Sequence, residues 1–199
     1  MKNLAQLFKQ SGTAKFKLRY DIAYKLMCWH LPPKPRILEL GILHGESLKL
    51  WRAWFPDAYI VGVDINPECV QYASLTNRIF IGDQSDQQLL ARIINETGGR
   101  FDLVIDDASH IPWQQVASFN TLWPQAVAPW GVYVVEDCGS NVGKFKARAG
   151  DTNIVTLLQD KAVSNMFRHV RKPAPEFICF CGQAIFIIKV PKCNDTLEV

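Results

Sequence analysis

Between Arg36 and Asp137 the chain repeats one unit, a short apolar run followed by an amphipathic segment long enough for a helix. The runs read RILEL, AYIVGVD, RIFIGD, FDLVIDD and GVYVVED, and the segments among them include SLKLWRAWF, QQLLARII and WQQVASFNTLW. Apolar runs without polar alternation suit strands buried on both faces, so helices must cover both sides of the sheet. The repeat therefore predicts a doubly wound α/β fold with a mostly parallel sheet.

The flanking segments extend this frame. Leu48, Trp51 and Phe55 share one helical face in the first crossover, and Pro56 stops it. Upstream, LAQLFKQSG and KLRYDIAYKLMCWHLPP read as one or two helices ended by Pro32 and Pro33. After Asp137, CGSNVGKFKARAGD is long, polar and glycine-bearing, which predicts a mobile surface loop over residues 138–152. A helix follows in TNIVTLLQDKAVSNMF. The last runs, EFICFC and QAIFIIKV, flank a tight turn around Gly182 and predict an antiparallel hairpin closing the sheet. No internal repeat or linker interrupts the chain, so residues 1–199 are expected to form one domain, with a helical segment at 1–34 and the core at 35–190.

Composition narrows the class. With 48% apolar and 21% charged residues the chain can bury a substantial core. No apolar run has the roughly 18 residues of a membrane helix, and the first residues lack the apolar stretch of a signal peptide, so the expected compartment is the cytoplasm. The six cysteines have neither paired C-x-x-C spacing nor the density of a disulfide scaffold, and are expected to be reduced and mostly buried. Residues 1–36 carry eight Lys or Arg against one acid, Asp21, a net of +7; the rest carry 14 basic against 18 acidic side chains, a net of −4. A basic segment can meet an acidic ligand, a membrane surface or nucleic acid. Without a recognition motif or interleaved surface aromatics, nucleic acid is not expected, and a solvated helix face or a subunit contact is the simpler reading.

Chemistry-bearing residues gather where the strands end. ILELGILHGESL places Gly41 and Gly45 at the first strand-to-helix turn, with the helix opening near Ser47. Glycines there let a ligand approach the backbone, and a helix N-terminus offers free N–H groups to an anion. Leu43 stands where a dinucleotide fingerprint has its second glycine, which disfavours NAD. Asp64 closes the second strand, where an acid can accept from both ribose hydroxyls; Asp83 closes the third, where one can receive an adenine amino group. Either can instead cap a helix.

The fourth and fifth runs end in Asp106-Asp107 and Glu136-Asp137. On adjacent strands about 4.8 Å apart, four carboxylates would converge on one rim. A compensating cation resolves that repulsion, and ligands that are all oxygen select a hard ion such as Mg2+. His110 follows Asp107 by three residues, and the ordinary histidine pKa of about 6.5 suits proton removal from an activated hydroxyl. The alternative is that these acids cap helices or pair with Lys and Arg.

The order Glu39-x-Gly41, Asp64, Asp83-Gln84, Asp106 resembles the Rossmann-like S-adenosylmethionine-dependent methyltransferases. IDDASH with VVEDCGS, preceded by GESLKLWRAWFPDAYIVGVDINP, resembles more closely the metal-dependent macrolide sugar O-methyltransferases and the cephalosporin hydroxylase group. The resemblance implies a seven-stranded sheet and S-adenosylmethionine held by Glu39, Gly41, Gly45, Ser47, Asp64, Asp83, Gln84 and Asp106. It also implies Mg2+ held by Asp107, Glu136 and Asp137, with His110 as catalytic base beside Asp107. Glu136 and Asp137 are adjacent, so both can face one ion only if the chain leaves strand geometry there.

The implied reaction is methyl transfer to a hydroxyl of a sugar or other polyol by a homo-oligomer. Two departures stand out: Glu46 replaces a glycine usual in the group, and the loop after Glu136-Asp137 carries Lys144, Lys146 and Arg148, which point to an anionic acceptor. Metal-independent methylation of another small molecule and a non-catalytic cofactor-binding subunit remain open at this stage.

Overall fold

The computed structural model describes residues 3–141, 153–167 and 176–191. Its centre is a seven-stranded sheet of β1 (Arg36–Leu40), β2 (Tyr59–Asp64), β3 (Arg78–Ile81), β4 (Phe101–Asp106), β5 (Val127–Val135), β6 (Glu176–Cys181) and β7 (Ala184–Lys189). The spatial order is β3-β2-β1-β4-β5-β7-β6, in which β1 to β5 run parallel and β7 lies antiparallel to both β5 and β6. The sequence expectation of a doubly wound sheet with a C-terminal hairpin therefore holds. The strand order reverses between β1 and β4, which in open α/β sheets is the position of the ligand crevice.

Helices cover both faces. Leu38 and Leu40 pack with Leu89, Leu90 and Ile93 of α4 (Gln87–Thr97), Phe119 and Leu122 of α5 (Pro112–Gln125), and Ile154 and Leu158 of α6 (Ile154–Phe167). On the other face Ile37 packs with Phe8 of α1 (Leu4–Ser11), Tyr20 and Tyr24 of α2 (Tyr20–Met27), and Leu48 and Trp51 of α3 (Glu46–Trp54). Ile37, Leu38, Leu40, Leu103, Val104 and Ile105 are fully buried, each contributing roughly 1.5–3 kcal/mol of transfer free energy.

Local differences have local causes. The N-terminal segment forms two helices joined by a 3-10 turn at Ala14–Phe16, which Thr13 caps by accepting from the Lys15 amide. α3 starts at Glu46, one residue before the expected opening, because Gly45 takes the cap position in the left-handed region. β5 begins before GVYVVED and shifts register against β4 between Phe101 and Leu103. Cys138–Asn141 form a 3-10 turn, and the rest of the expected loop, including Lys144, Lys146 and Arg148, lies outside the described residues. Cys28, Cys69 and Cys138 are buried free thiols, Cys179 and Cys181 are half-buried free thiols, and Cys193 lies outside the described residues. Among the described residues, no helix is long and apolar enough to cross a membrane.

Candidate active site

The rim of the site is an extension of the parallel ladder by one residue. The Gly41 amide donates to Val63 O (2.8 Å), Asp107 N to Leu40 O (2.9 Å) and Glu136 N to Asp106 O (2.9 Å). Gly41 at φ +85° is pressed on the turn after β4: a Cβ there would lie 2.3 Å from the Asp107 carbonyl oxygen. Gly45 at φ +72° lies under Tyr72, whose ring a Cβ would meet at 2.9 Å. Both glycines are thus fixed by conformation and by space.

A cavity of about 780 Å³ opens above this rim, walled by the loop from Gly41 to Ser47, by Asp64 and Asp83, and by Asp107, His110 and Asp137. Asp64 Oδ2 accepts from the amides of Ile42 (2.9 Å) and Leu43 (3.0 Å), and its Oδ1 accepts from Asn66 N (2.9 Å). It therefore ties the glycine loop to the end of β2. Asp83 accepts from the Ser85 amide (2.7 Å) and from Gln114 Nε2 (3.0 Å to Oδ2), whereas the cap of α4 is Asp86. The helix-cap alternative thus falls to Asp86, and Asp83 stays on the cavity wall.

Other expected cofactor residues support the wall from within. Glu39 is fully buried and its Oε2 accepts from Ser47 Oγ and Trp51 Nε1, both at 2.9 Å. Asp106, also fully buried, accepts from Gln84 Nε2 (2.9 Å) and Tyr133 OH (3.4 Å). Gln84 in addition donates to Ser118 Oγ (2.9 Å) and accepts from the Ser109 amide (2.8 Å), pinning the turn that carries His110. Glu39 and Asp106 lie beneath the cavity, while Ser47 and Gln84 reach its surface. Burial pushes both deep carboxyls up to about 7, against the partial pull of Lys15 on Glu39 and of Gln84 on Asp106.

Of the four expected acids, Asp107, Glu136 and Asp137 line the cavity and Asp106 is buried beneath it. β5 ends at Val135 and Asp137 adopts φ +51°, so the chain leaves strand geometry as two adjacent ligands would require. Asp107, His110 and Asp137 each present an atom within 4.8 Å of the others. His110 Nε2 stands 4.0 Å from Asp107 Oδ1 and 4.0 Å from Asp137 Oδ2. Three partly exposed groups, two of them carboxylates, form a donor set that fits a divalent ion. Glu136 lines the same cavity deeper in: it is 1% exposed, its Oε2 lies 2.6 Å from Lys15 Nζ, and its Oε1 accepts from Tyr24 OH.

Lys15, Tyr20 and Tyr24 are the residues sequence reasoning missed. Lys15 is 4% exposed, touches Asp107 Oδ2 and Glu136, and stands 3.7 Å from Glu39 Oε1. Tyr20 OH donates to Asp137 Oδ1 (3.0 Å). Burial favours loss of the Lys15 charge, but Glu136, Asp107 and Glu39 together outweigh it and hold the ammonium protonated. Burial likewise raises Glu136, while Lys15 and Tyr24 restrain the rise. The net positive charge of residues 1–36 was the available signal, and the reading of it as a solvated face is corrected at Lys15. Gln114 was also missed, with no signal beyond its place in the first turn of α5.

No protein-family model matches the chain. It is 38% identical over 177 residues to an 8-demethyl-8-(2-methoxy-alpha-L-rhamnosyl)-tetracenomycin-C 3'-O-methyltransferase of Streptomyces olivaceus, covering 82% of this chain and 44% of that one. To a mycinamicin VI 2''-O-methyltransferase of Micromonospora griseorubida it is 40% identical over 109 residues, 51% of this chain and 27% of that one. The solved MycE methyltransferase of the mycinamycin pathway, in complex with Mg, S-adenosylhomocysteine and mycinamycin VI, superposes at TM-score 0.82 with 26% identity over 96% of this chain and 54% of that one. The chain thus spans about half the length, or less, of the relatives it matches. In sequence and in fold it is a relative of the macrolide and tetracenomycin sugar O-methyltransferases.

Proposed function

We propose that this chain transfers a methyl group from S-adenosylmethionine to a hydroxyl of a sugar or similar polyol, with a divalent ion such as Mg2+ at the acidic rim. The observation that carries the reading is that one cavity joins the glycine loop and Asp64 to Asp107, His110 and Asp137. Gly41 and Gly45 give the loop that would receive the donor its left-handed turns and close packing, Asp64 braces that loop, and Asp83 lies where an adenine amino group would be read.

Asp107, Glu136 and Asp137, which line one cavity, would hold the ion. A bound Mg2+ would acidify an acceptor hydroxyl and orient two neighbouring oxygens. His110 Nε2, placed between the two aspartates, takes the hydroxyl proton. Gln84, through the Ser109 amide, keeps the His110 turn in place.

The rhamnosyl and mycinamicin names of the relatives support a glycosylated acceptor. An anionic acceptor rests on Lys144, Lys146 and Arg148. A homo-oligomer is supported by the exposed Leu26 (65%) and Trp29 (80%) on and after α2. A cytoplasmic setting is supported by the free thiols.

The test is transfer of labelled methyl from S-adenosylmethionine to a rhamnosylated polyketide, with Mg2+ and with chelator. Turnover that stops with chelator is expected. Unchanged turnover with chelator would remove the metal, and thermal stabilisation by NAD but not by S-adenosylhomocysteine would remove the methyltransferase reading.

A further inference from the structure

We infer that α2 supports the metal site from behind: Tyr20 and Tyr24, one helical turn apart, aim the consecutive acids Asp137 and Glu136 into the cavity. The inference rests on the functional reading above, with Asp107, Glu136 and Asp137 at the ion and His110 as the base. It starts from a stereochemical difficulty. Successive side chains of a strand point to opposite faces, so neighbouring acids share one cavity only if something outside the strand turns one of them.

The tyrosines meet both acids. Tyr20 OH donates to Asp137 Oδ1 (3.0 Å), and Tyr24 OH donates to Glu136 Oε1. A spacing of four residues puts the two phenols on one face of α2, and both side chains are buried. Tyr20 does more than bind a carboxylate: its oxygen also accepts from the Asp137 amide (3.5 Å). One hydroxyl thus clasps both main chain and side chain of the residue whose φ is +51°, where the chain has left β5. Residues other than glycine seldom enter that region and stay there only where their neighbours hold them. Asp137 Oδ2 then stands 4.0 Å from His110 Nε2, at the cavity.

The clasp is rigid because α2 is. The Tyr24 ring packs 5.1 Å from Trp51, 5.1 Å from Phe186 and 5.8 Å from Phe8, so α3, β7 and α1 all fix it. The cavity wall includes Glu136 and Asp137 but neither tyrosine. Each tyrosine is therefore a positioning residue, acting on the ion through a carboxylate. A carboxylate oxygen has two lone pairs, and one phenolic bond leaves it able to meet a cation. Groups that orient ligands in this way typically contribute about 10–100-fold to metal affinity.

The probe is Mn2+ alone, titrated calorimetrically into the full chain. Tyr20→Phe keeps the ring and removes the clasp, and should weaken binding by about tenfold or more. Tyr24→Phe should weaken it less, though by more than about threefold, because Lys15 Nζ still holds Glu136 Oε2 at 2.6 Å. Affinity for S-adenosylhomocysteine should stay within about threefold in both, since the glycine loop, Asp64 and Asp83 wall the other end of the cavity.

A loss of Mn2+ affinity below that threshold in either variant overturns the inference. So does an equal loss of S-adenosylhomocysteine affinity, which would mean that the tyrosines hold the fold rather than the ligands. Should one variant fail to fold, the other decides by the same threshold. Absence of any Mn2+ uptake by the unaltered chain would remove the metal reading itself and this inference with it, whereas uptake that neither substitution weakens removes this inference alone.

Discussion

Lys15 Nζ and Glu136 Oε2 lie 2.6 Å apart although 121 positions separate them in the chain. This pair fastens the N-terminal segment to the end of β5 and makes the two ends of the core interdependent. With Lys15 at 4% and Glu136 at 1% exposure, the contact is shielded from salt, and loss of one partner strands the other.

The first expectation concerns that stranding. Lys15→Met leaves Glu136 buried without its cation and should lower unfolding stability by about 3–5 kcal/mol. Lys15→Met/Glu136→Gln should recover most of the loss. Urea unfolding followed by circular dichroism measures both, and additive effects of the two substitutions would show that the pair is not coupled.

His110→Gln should cut methyl transfer by about 10²–10⁴-fold, the usual contribution of a positioned proton acceptor. Affinity for S-adenosylhomocysteine should stay unchanged, because the donor end of the cavity is built from the glycine loop, Asp64 and Asp83. Turnover within fivefold of the unaltered chain would exclude His110 as the base.

Gly41→Ala tests the rim. The added Cβ would sit 2.3 Å from Asp107 O at a backbone φ of +85°. Left-handed strain and overpacking together should cost about 3 kcal/mol or more, read as a lower melting temperature. A melting temperature unchanged by the alanine would mean that the turn after β4 can move away.

Glu39 gives a pH signature. Its carboxyl is pushed up to about 7 by burial, against 4.5 for an ordinary glutamate. Between those values the folded chain keeps a proton that the unfolded chain has released, so stability falls as pH rises from about 4.5 to 7. Glu39→Gln should remove a drop on the order of 3 kcal/mol across that window. Parallel stability profiles for the two proteins over pH 4.5–7.5 would contradict this.

The alternating runs from Arg36 to Asp137 determined the sheet, because only a layer covered on both faces can bury strands such as RILEL and FDLVID. The positions of Gly41, Asp64, Asp83, Asp107 and Asp137 at strand ends were legible for the same reason: a parallel sheet puts successive carboxyl ends on one edge. Sequence could not say which way each side chain turns after its strand has ended. Glu136 and Asp137 are neighbours, yet φ +51° at Asp137 sends one toward Lys15 and Tyr24 and the other toward His110. Nor does any local pattern mark Lys15 as buried, since an ammonium is taken from water only when carboxylates from distant segments surround it. Patterning along the chain fixed the layers and the edge where chemistry collects, and the long-range charge pairing at that edge arose only when the N-terminal segment packed against it.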